Sequence, residues 1–253
     1  MTATEPRQET PPLPDPADVA LFLDVDGTLL DIAPRPDAVE VPPSLLRDLA
    51  AAAEAADGAV ALVSGRPVAE LDRLFAPLRL AASGVHGAEL RLRPNDDVAA
   101  LAEGRLGDEA WDALTRLLAG FPGSYAENKE VSFAVHYDDR GTDVAALTAA
   151  LSRLMERMAA AGTATHLIAG RAVFELQLRG FDKGRAIRRF LDHPPFRGRR
   201  PVFIGDDEID RAGFDTALAL DGIAYSVGRR MPGLNGGFSG PAAVRAWLHE
   251  FGR

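Results

Sequence analysis

The chain has 253 residues, 28 basic and 37 acidic, a formal charge of −9 at pH 7, and enough apolar content (47%) for one large domain or two small ones. The negative balance speaks against nucleic-acid binding through bulk charge, and no run of eighteen apolar residues offers a membrane-spanning helix. Cysteine is absent, which excludes disulfides, thiolate catalysis and Cys-ligated zinc.

The first eighteen residues carry five prolines and four acids with one arginine, a composition unlike that of a secretory leader. They read as a flexible N-terminal segment of a cytoplasmic protein with no nucleic-acid or membrane partner; the sequence sets no oligomeric state. Of the 28 basic residues only Lys129 and Lys183 are lysine. In a chain that accepts arginine so freely, a retained lysine suggests a need for a compact ammonium.

The short apolar run at 20–23 predicts a buried strand that opens into Asp24-Val25-Asp26-Gly27-Thr28. A helix is expected after Pro42-Pro43, a strand at 59–63 ending in Ser64-Gly65-Arg66-Pro67, and a strand at 80–83 ending in Gly84-Val85-His86-Gly87. Strand, turn and helix in repetition mean βαβ units and a mostly parallel sheet. From 108 the pattern changes. Helical spacing at 108–119 and 142–161 is followed each time by a strand pair, 124–127 with 131–137 and 165–168 with 172–178, the second hinged at Gly170-Arg171. After Gly180 the first pattern returns, with a helix at 183–191, a strand at 201–204 ending in Gly205-Asp206-Asp207, and a last helix at 241–251. The expected organisation is a flexible segment (1–18), a core made of 19–100 and 180–253, and an inserted α/β cap domain at 101–179. The fold class is α/β, with a doubly wound, Rossmann-like parallel-sheet core. The glycines at 233, 236, 237 and 240 read as a turn.

Open parallel sheets place their active sites at the carboxyl ends of strands. Asp24 and Asp26 stand at one such end and Asp206 and Asp207 at another. A plain Asp-Gly turn accounts for one acidic strand mouth and accounts poorly for two. Several carboxylates, no thiol and no histidine pair at ligand spacing favour a hard, oxygen-loving cation, Mg²⁺, which in turn suggests a phosphate substrate.

Asp24-Val25-Asp26-Gly27-Thr28-Leu29, Ser64-Gly65-Arg66, Lys183-Gly184 and Gly205-Asp206-Asp207-Glu208-Ile209-Asp210 together resemble, in order, the four motifs of the haloacid-dehalogenase-like (HAD) phosphotransferases. The resemblance implies Asp24 as nucleophile and Asp26 as acid and base. Ser64 would hold a phosphoryl oxygen, and Lys183 would neutralise charge. It implies Mg²⁺ on Asp24, Asp206 and the backbone carbonyl of Asp26, with Asp207 and Asp210 in or near the outer shell. A second acid at Asp26 suits phosphate-ester cleavage, since a sugar oxygen needs a proton when it leaves.

Within the insertion, Glu127-Asn128-Lys129-x-x-Ser132-x-x-x-His136-Tyr137 resembles the cap of the trehalose-6-phosphate phosphatases. Gly84-Val85-His86-Gly87-Ala88-Glu89 and Phe174-Glu175-Leu176 resemble further stretches of that family. This implies sugar contacts for Glu127, Lys129 and Glu175, a substrate contact for His86, and an active site where core and cap meet; Arg66, beside Ser64, reads either as reaching the substrate or as forming a helix-start salt bridge. Departures are Asp138 where the family has arginine, Glu208-Ile209-Asp210-Arg211 in the fourth motif, and Leu178-Arg179-Gly180 where the cap strand usually leads to a proline before the lysine motif. The implied reaction is Mg²⁺-dependent hydrolysis of trehalose 6-phosphate through an aspartyl phosphate. Sucrose phosphate or glucosylglycerol phosphate is the alternative substrate, and a catalytically silent sensor is the alternative outside the enzymes.

Overall fold

The computed structural model describes residues 10–32, 39–100, 105–138, 140–170 and 172–253; Arg171 of the expected hinge lies outside them. The chain divides into two compact units, Met1–Ala99 with Asp182–Arg253, and Ala100–Phe181. Among the described residues no helix is long and apolar enough to cross a membrane.

In chain order the elements are β1 (Val19–Leu23), α1 (Pro43–Ala55), β2 (Val60–Val63), α2 (Val68–Leu74), β3 (Ala81–Gly84), β4 (Glu89–Arg91) and β5 (Ala99–Ala100). Then come α3 (Asp108–Leu118), β6 (Tyr125–Asn128), β7 (Ser132–His136), α4 (Val144–Ala160), β8 (Thr165–Gly170) and β9 (Val173–Leu178). The chain closes with α5 (Lys183–Leu191), β10 (Arg200–Gly205), α6 (Arg211–Ala219), β11 (Ile223–Val227), β12 (Gly236–Phe238) and α7 (Pro241–Phe251).

The first sheet has the order β12-β11-β10-β1-β2-β3-β4-β5. The pairs from β12 through to β3 are all parallel, and β4 runs antiparallel to β3. Every residue of β1 is buried, which is why its sequence, Val-Ala-Leu-Phe-Leu, shows no alternation. Phe22 stacks on Phe196 at 5.6 Å and meets Phe190 at 5.7 Å, joining the sheet to α5 and the loop after it. Because the central strands are parallel and in register, the carboxyl ends of β10, β1 and β2 emerge along one edge.

Three local features depart from the sequence reading. The glycine-rich stretch contains β12, which adds to β11 by pairing Gly236 with Tyr225 and Gly237 with Ser226; glycine's weak strand preference hides such a short edge strand. Strand β4 was not foreseen, being only three residues long. Residues 10–18 of the N-terminal segment are tied down: Trp247 Nε1 donates to the Pro11 carbonyl at 3.1 Å and Arg199 to that of Pro16 at 2.9 Å.

The second unit is a four-stranded antiparallel sheet, β6-β7-β9-β8. One face carries Phe133, Val135, Phe174 and Leu176, which pack with Leu114 and Leu118 of α3 and Leu147, Leu151 and Leu154 of α4. Period-two alternation sends the residues between them to the opposite face. That face is polar: Ser132 and His136 on β7, Glu175 and Gln177 on β9, and Tyr125 and Glu127 on β6.

Candidate active site

The first unit gathers its charged side chains at the carboxyl edge of the parallel sheet. Asp24 follows β1 directly, and its amide still donates to the Ile204 carbonyl of β10 at 3.0 Å. Helix α5 starts beside it because the Asp182 side chain caps the helix by accepting from the Arg185 amide at 2.7 Å. Gly184 lets α5 lie close on α6, since a Cβ there would stand 2.3 Å from the Ala212 carbonyl oxygen. Lys183, first in the helix and 4% exposed, thereby aims its ammonium into the carboxylates. Its Nζ donates to Asp24 Oδ1 at 2.5 Å and also to Asp210 Oδ1.

Asp24, Asp206 and Asp210 each bring a carboxylate oxygen within 4.8 Å of the others. Asp210 also accepts through Oδ2 from the amides of Asp206 (2.9 Å) and Asp207 (3.1 Å), so the β10 loop is folded around it. Burial pushes the Asp24 carboxyl up to about 7 although Lys183 pulls it down, and burial with the charges of Asp24 and Asp210 pushes Asp206 up to about 8. Burial opposes the charge on Lys183, yet Asp210 and Asp24 outweigh it and raise its pKa. One ammonium does not neutralise three carboxylates, and the remaining negative charge in an all-oxygen cluster fits a hard divalent cation.

Of the two acids that the resemblance places in or near the outer shell, Asp207 lies outside the cluster, its Oδ1 accepting from the Glu208 amide at 2.6 Å and capping a short turn, and Asp210 joins Asp24 and Asp206 in it. Its acidity and its place four residues after Asp206 were visible in the sequence, but the fold of the loop decides which acid turns inward. Asp26 also keeps its carboxylate out of the cluster. Arg66 grips it in a fork, Nε to Oδ2 at 2.6 Å and Nη2 to Oδ1 at 2.8 Å, and also bonds Glu70. That contact spans forty residues and was missed by sequence reasoning.

Ser64 follows β2 with its hydroxyl accepting from the Arg66 amide at 3.1 Å. The turn Val85-His86 closes over this loop, its amides donating to the carbonyls of Arg66 (3.1 Å) and Ser64 (3.0 Å). Both residues have positive φ, 46° and 53°, a conformation that costs a β-branched valine roughly 1–3 kcal/mol. The His86 ring lies over Gly65. Gly27 has φ +81°, and a Cβ there would fall 2.1 Å from Asp206 Oδ2. Gly27→Ala is therefore expected to push Asp206 out of the cluster, and a large loss of phosphatase activity with the circular dichroism spectrum retained would show it.

The second unit assembles its own polar group. Glu127 of β6 and Glu175 of β9 both pair with Ala134 of the strand between them, so two carboxylates flank one methyl group. Glu175 Oε1 accepts from Ser132 Oγ at 2.5 Å and lies 3.9 Å from Lys129 Nζ. The His136 ring beside it, with Nε2 3.6 Å from Glu127 Oε1, holds the Glu127 carboxyl below the usual range. The Tyr125 ring stacks on His136 at 4.7 Å. Carboxylates, an ammonium and aromatic faces in one patch suit a polyhydroxylated ligand.

A trehalose-phosphatase family model matches residues 22–230 of the chain. The trehalose-6-phosphate phosphatase of Escherichia coli K12 is 38% identical over 246 residues, covering 97% of this chain and 90% of its own. The chain belongs to the trehalose-phosphatase family. A probable trehalose-phosphate phosphatase of Sinorhizobium fredii is 39% identical over 217 residues, covering 84% of this chain and 79% of its own. The fold agrees as well. The C-terminal domain of the C. albicans trehalose-6-phosphate phosphatase superposes with a TM-score of 0.78 at 21% identity, over 97% of this chain and 99% of that one. Asp24, Asp26, Ser64, Lys183, Asp206 and Asp210, with Glu127, Lys129 and Glu175, all fall inside the stretch matched by the family model.

Proposed function

We propose that the protein hydrolyses trehalose 6-phosphate to trehalose and phosphate, with the chemistry in the first unit and sugar recognition on the polar face of the second. The observation that carries the chemistry is Lys183 held between Asp24 and Asp210 at the mouth of β1. The ammonium orients the Asp24 carboxylate and keeps a negative charge there compatible with an anionic substrate. An Asp24 oxygen attacks phosphorus as the bond to the sugar oxygen breaks, and Asp26 gives that oxygen its proton. Water then attacks the aspartyl phosphate, Asp26 takes the water's proton, and the carboxylate of Asp24 is restored. The fork of Arg66 fixes where the Asp26 carboxyl sits. Ser64 would hold a phosphoryl oxygen.

Mg²⁺ suits the cluster; Asp24, Asp206 and Asp210 would hold it, and once bound it supplies positive charge beside the phosphoryl oxygens. The metal-free protein gives a readout apart from activity. Raised carboxyl pKa values mean that, from about pH 4 to 8, the folded state binds more protons than the unfolded chain, so stability falls as pH rises through that window. A divalent cation binds the ionised form. Mg²⁺ is therefore expected to raise Tm, and by more at pH 8 than at pH 6, in a thermal melt after chelation.

The substrate is tested by phosphate release from trehalose 6-phosphate, sucrose phosphate, glucosylglycerol phosphate and p-nitrophenyl phosphate. A clear preference for the first supports the reading, and a flat profile overturns it. Glu127→Ala and Lys129→Ala are expected to raise KM for the sugar phosphate about tenfold or more, by removing charge-assisted bonds to hydroxyls. The ratio of kcat/KM for trehalose 6-phosphate to that for p-nitrophenyl phosphate should fall with it.

A further inference from the structure

On the polar face of the second sheet Gln177 stands out. It lies two residues along β9 from Glu175, on the same face, and pairs directly with Ser132, whose hydroxyl binds Glu175. Its side chain is fully buried, and among the described residues neither Nε2 nor Oε1 has a hydrogen-bond partner. A fully buried primary amide with neither its donors nor its acceptor satisfied is a recurrent cost to the folded state. Removing it would be easy: leucine or methionine fills a similar volume without polar atoms. We infer that Gln177 is a specificity-determining residue that binds a sugar hydroxyl of the substrate, its carbonyl accepting the hydroxyl proton and its amino group donating to a neighbouring oxygen. A carboxamide offers a donor and an acceptor side by side, the pattern that a pair of vicinal hydroxyls presents in mirror. Beside it, the carboxylate of Glu175 can only accept and the ammonium of Lys129 can only donate. Gln177 thus completes a set in which each polarity of contact is available, two members on β9 and one in the turn between β6 and β7. The inference rests on the reading of this face as the sugar-binding one.

Gln177→Leu and Gln177→Met separate a binding role from a packing role, because the two predict opposite signs in stability. A structural amide would lower Tm when replaced. A ligand-binding amide, unsatisfied in the free protein, should leave Tm equal or raise it. The expected result is that rise or equality. It should come with an increase of about tenfold or more in KM for trehalose 6-phosphate, and a matching fall in its kcat/KM relative to p-nitrophenyl phosphate. A lower Tm or failure to fold in both variants, or an unchanged KM in a variant that folds, would overturn the assignment. A wild-type protein that prefers trehalose 6-phosphate while Gln177→Leu keeps its KM removes Gln177 alone. A wild-type protein that discriminates among no sugar phosphates removes the reading of the whole face and Gln177 with it.

Discussion

Asp24→Asn is expected to lower the rate of phosphate release by about 10³-fold or more, the scale on which loss of a covalent nucleophile is felt. Asparagine has the size of aspartate, and its carbonyl oxygen can still accept from the Lys183 ammonium that now meets Asp24 Oδ1 at 2.5 Å. What it lacks is an anionic oxygen to attack phosphorus. The same change removes one charge from a buried cluster whose burial already pushes the Asp24 carboxyl up to about 7. Fold stability without metal should therefore hold or increase, so a lost rate cannot be blamed on unfolding. Steady-state phosphate release, read beside a thermal melt, checks both parts. A residual rate within tenfold of wild type would place the nucleophile elsewhere, and the chemistry assigned to the β1 mouth would fall with it.

The sequence disclosed the core because burial leaves a compositional trace. β1 reads as an uninterrupted apolar run because both its faces are buried, and the acids that follow break that run where the backbone leaves the sheet. Ordered motifs then placed Lys183 and Asp206 near Asp24 without any knowledge of distance. Side-chain choices inside loops left no such trace. Whether Asp207 or Asp210 turns inward depends on a single turn in which one caps and the other accepts two backbone amides. The fork between Arg66 and Asp26 depends on the register of β1 against β2, which sets residues forty apart side by side. Likewise Glu127 and Glu175, distant in the chain, flank Ala134 because β7 lies between their strands. Short elements without alternation were also silent. β4 carries Arg91, fully buried with its guanidinium on both oxygens of Asp72 at 2.7 Å, a placement that composition alone argues against.

Lys183→Ala is expected to be the most destabilising single change at the site, by about 3–5 kcal/mol at pH 8 without metal, the usual cost of stranding a buried charge partner. Wild type already holds Asp24, Asp206 and Asp210 together with a single ammonium among them. Without it, less offsets the burial that already raises the Asp24 and Asp206 carboxyls, and the folded state must either take up protons or carry unpaired charge. The lysine itself stays charged across the working range, its pKa being raised by the same partners. The pH dependence therefore belongs to the carboxylates. As pH falls from 8 toward 5 they gain protons in the folded variant, and the difference from wild type should shrink. Urea denaturation at several pH values reads this directly; a cost independent of pH would mean that Lys183 acts through packing and not through charge. Lys183→Arg should not restore activity, although this chain has 26 arginines and two lysines. The Nζ atom donates to Asp24 and Asp210 from a single point, and a planar guanidinium is too broad for that gap. Gly184 lies close on the Ala212 carbonyl, so α5 cannot make room by shifting toward α6.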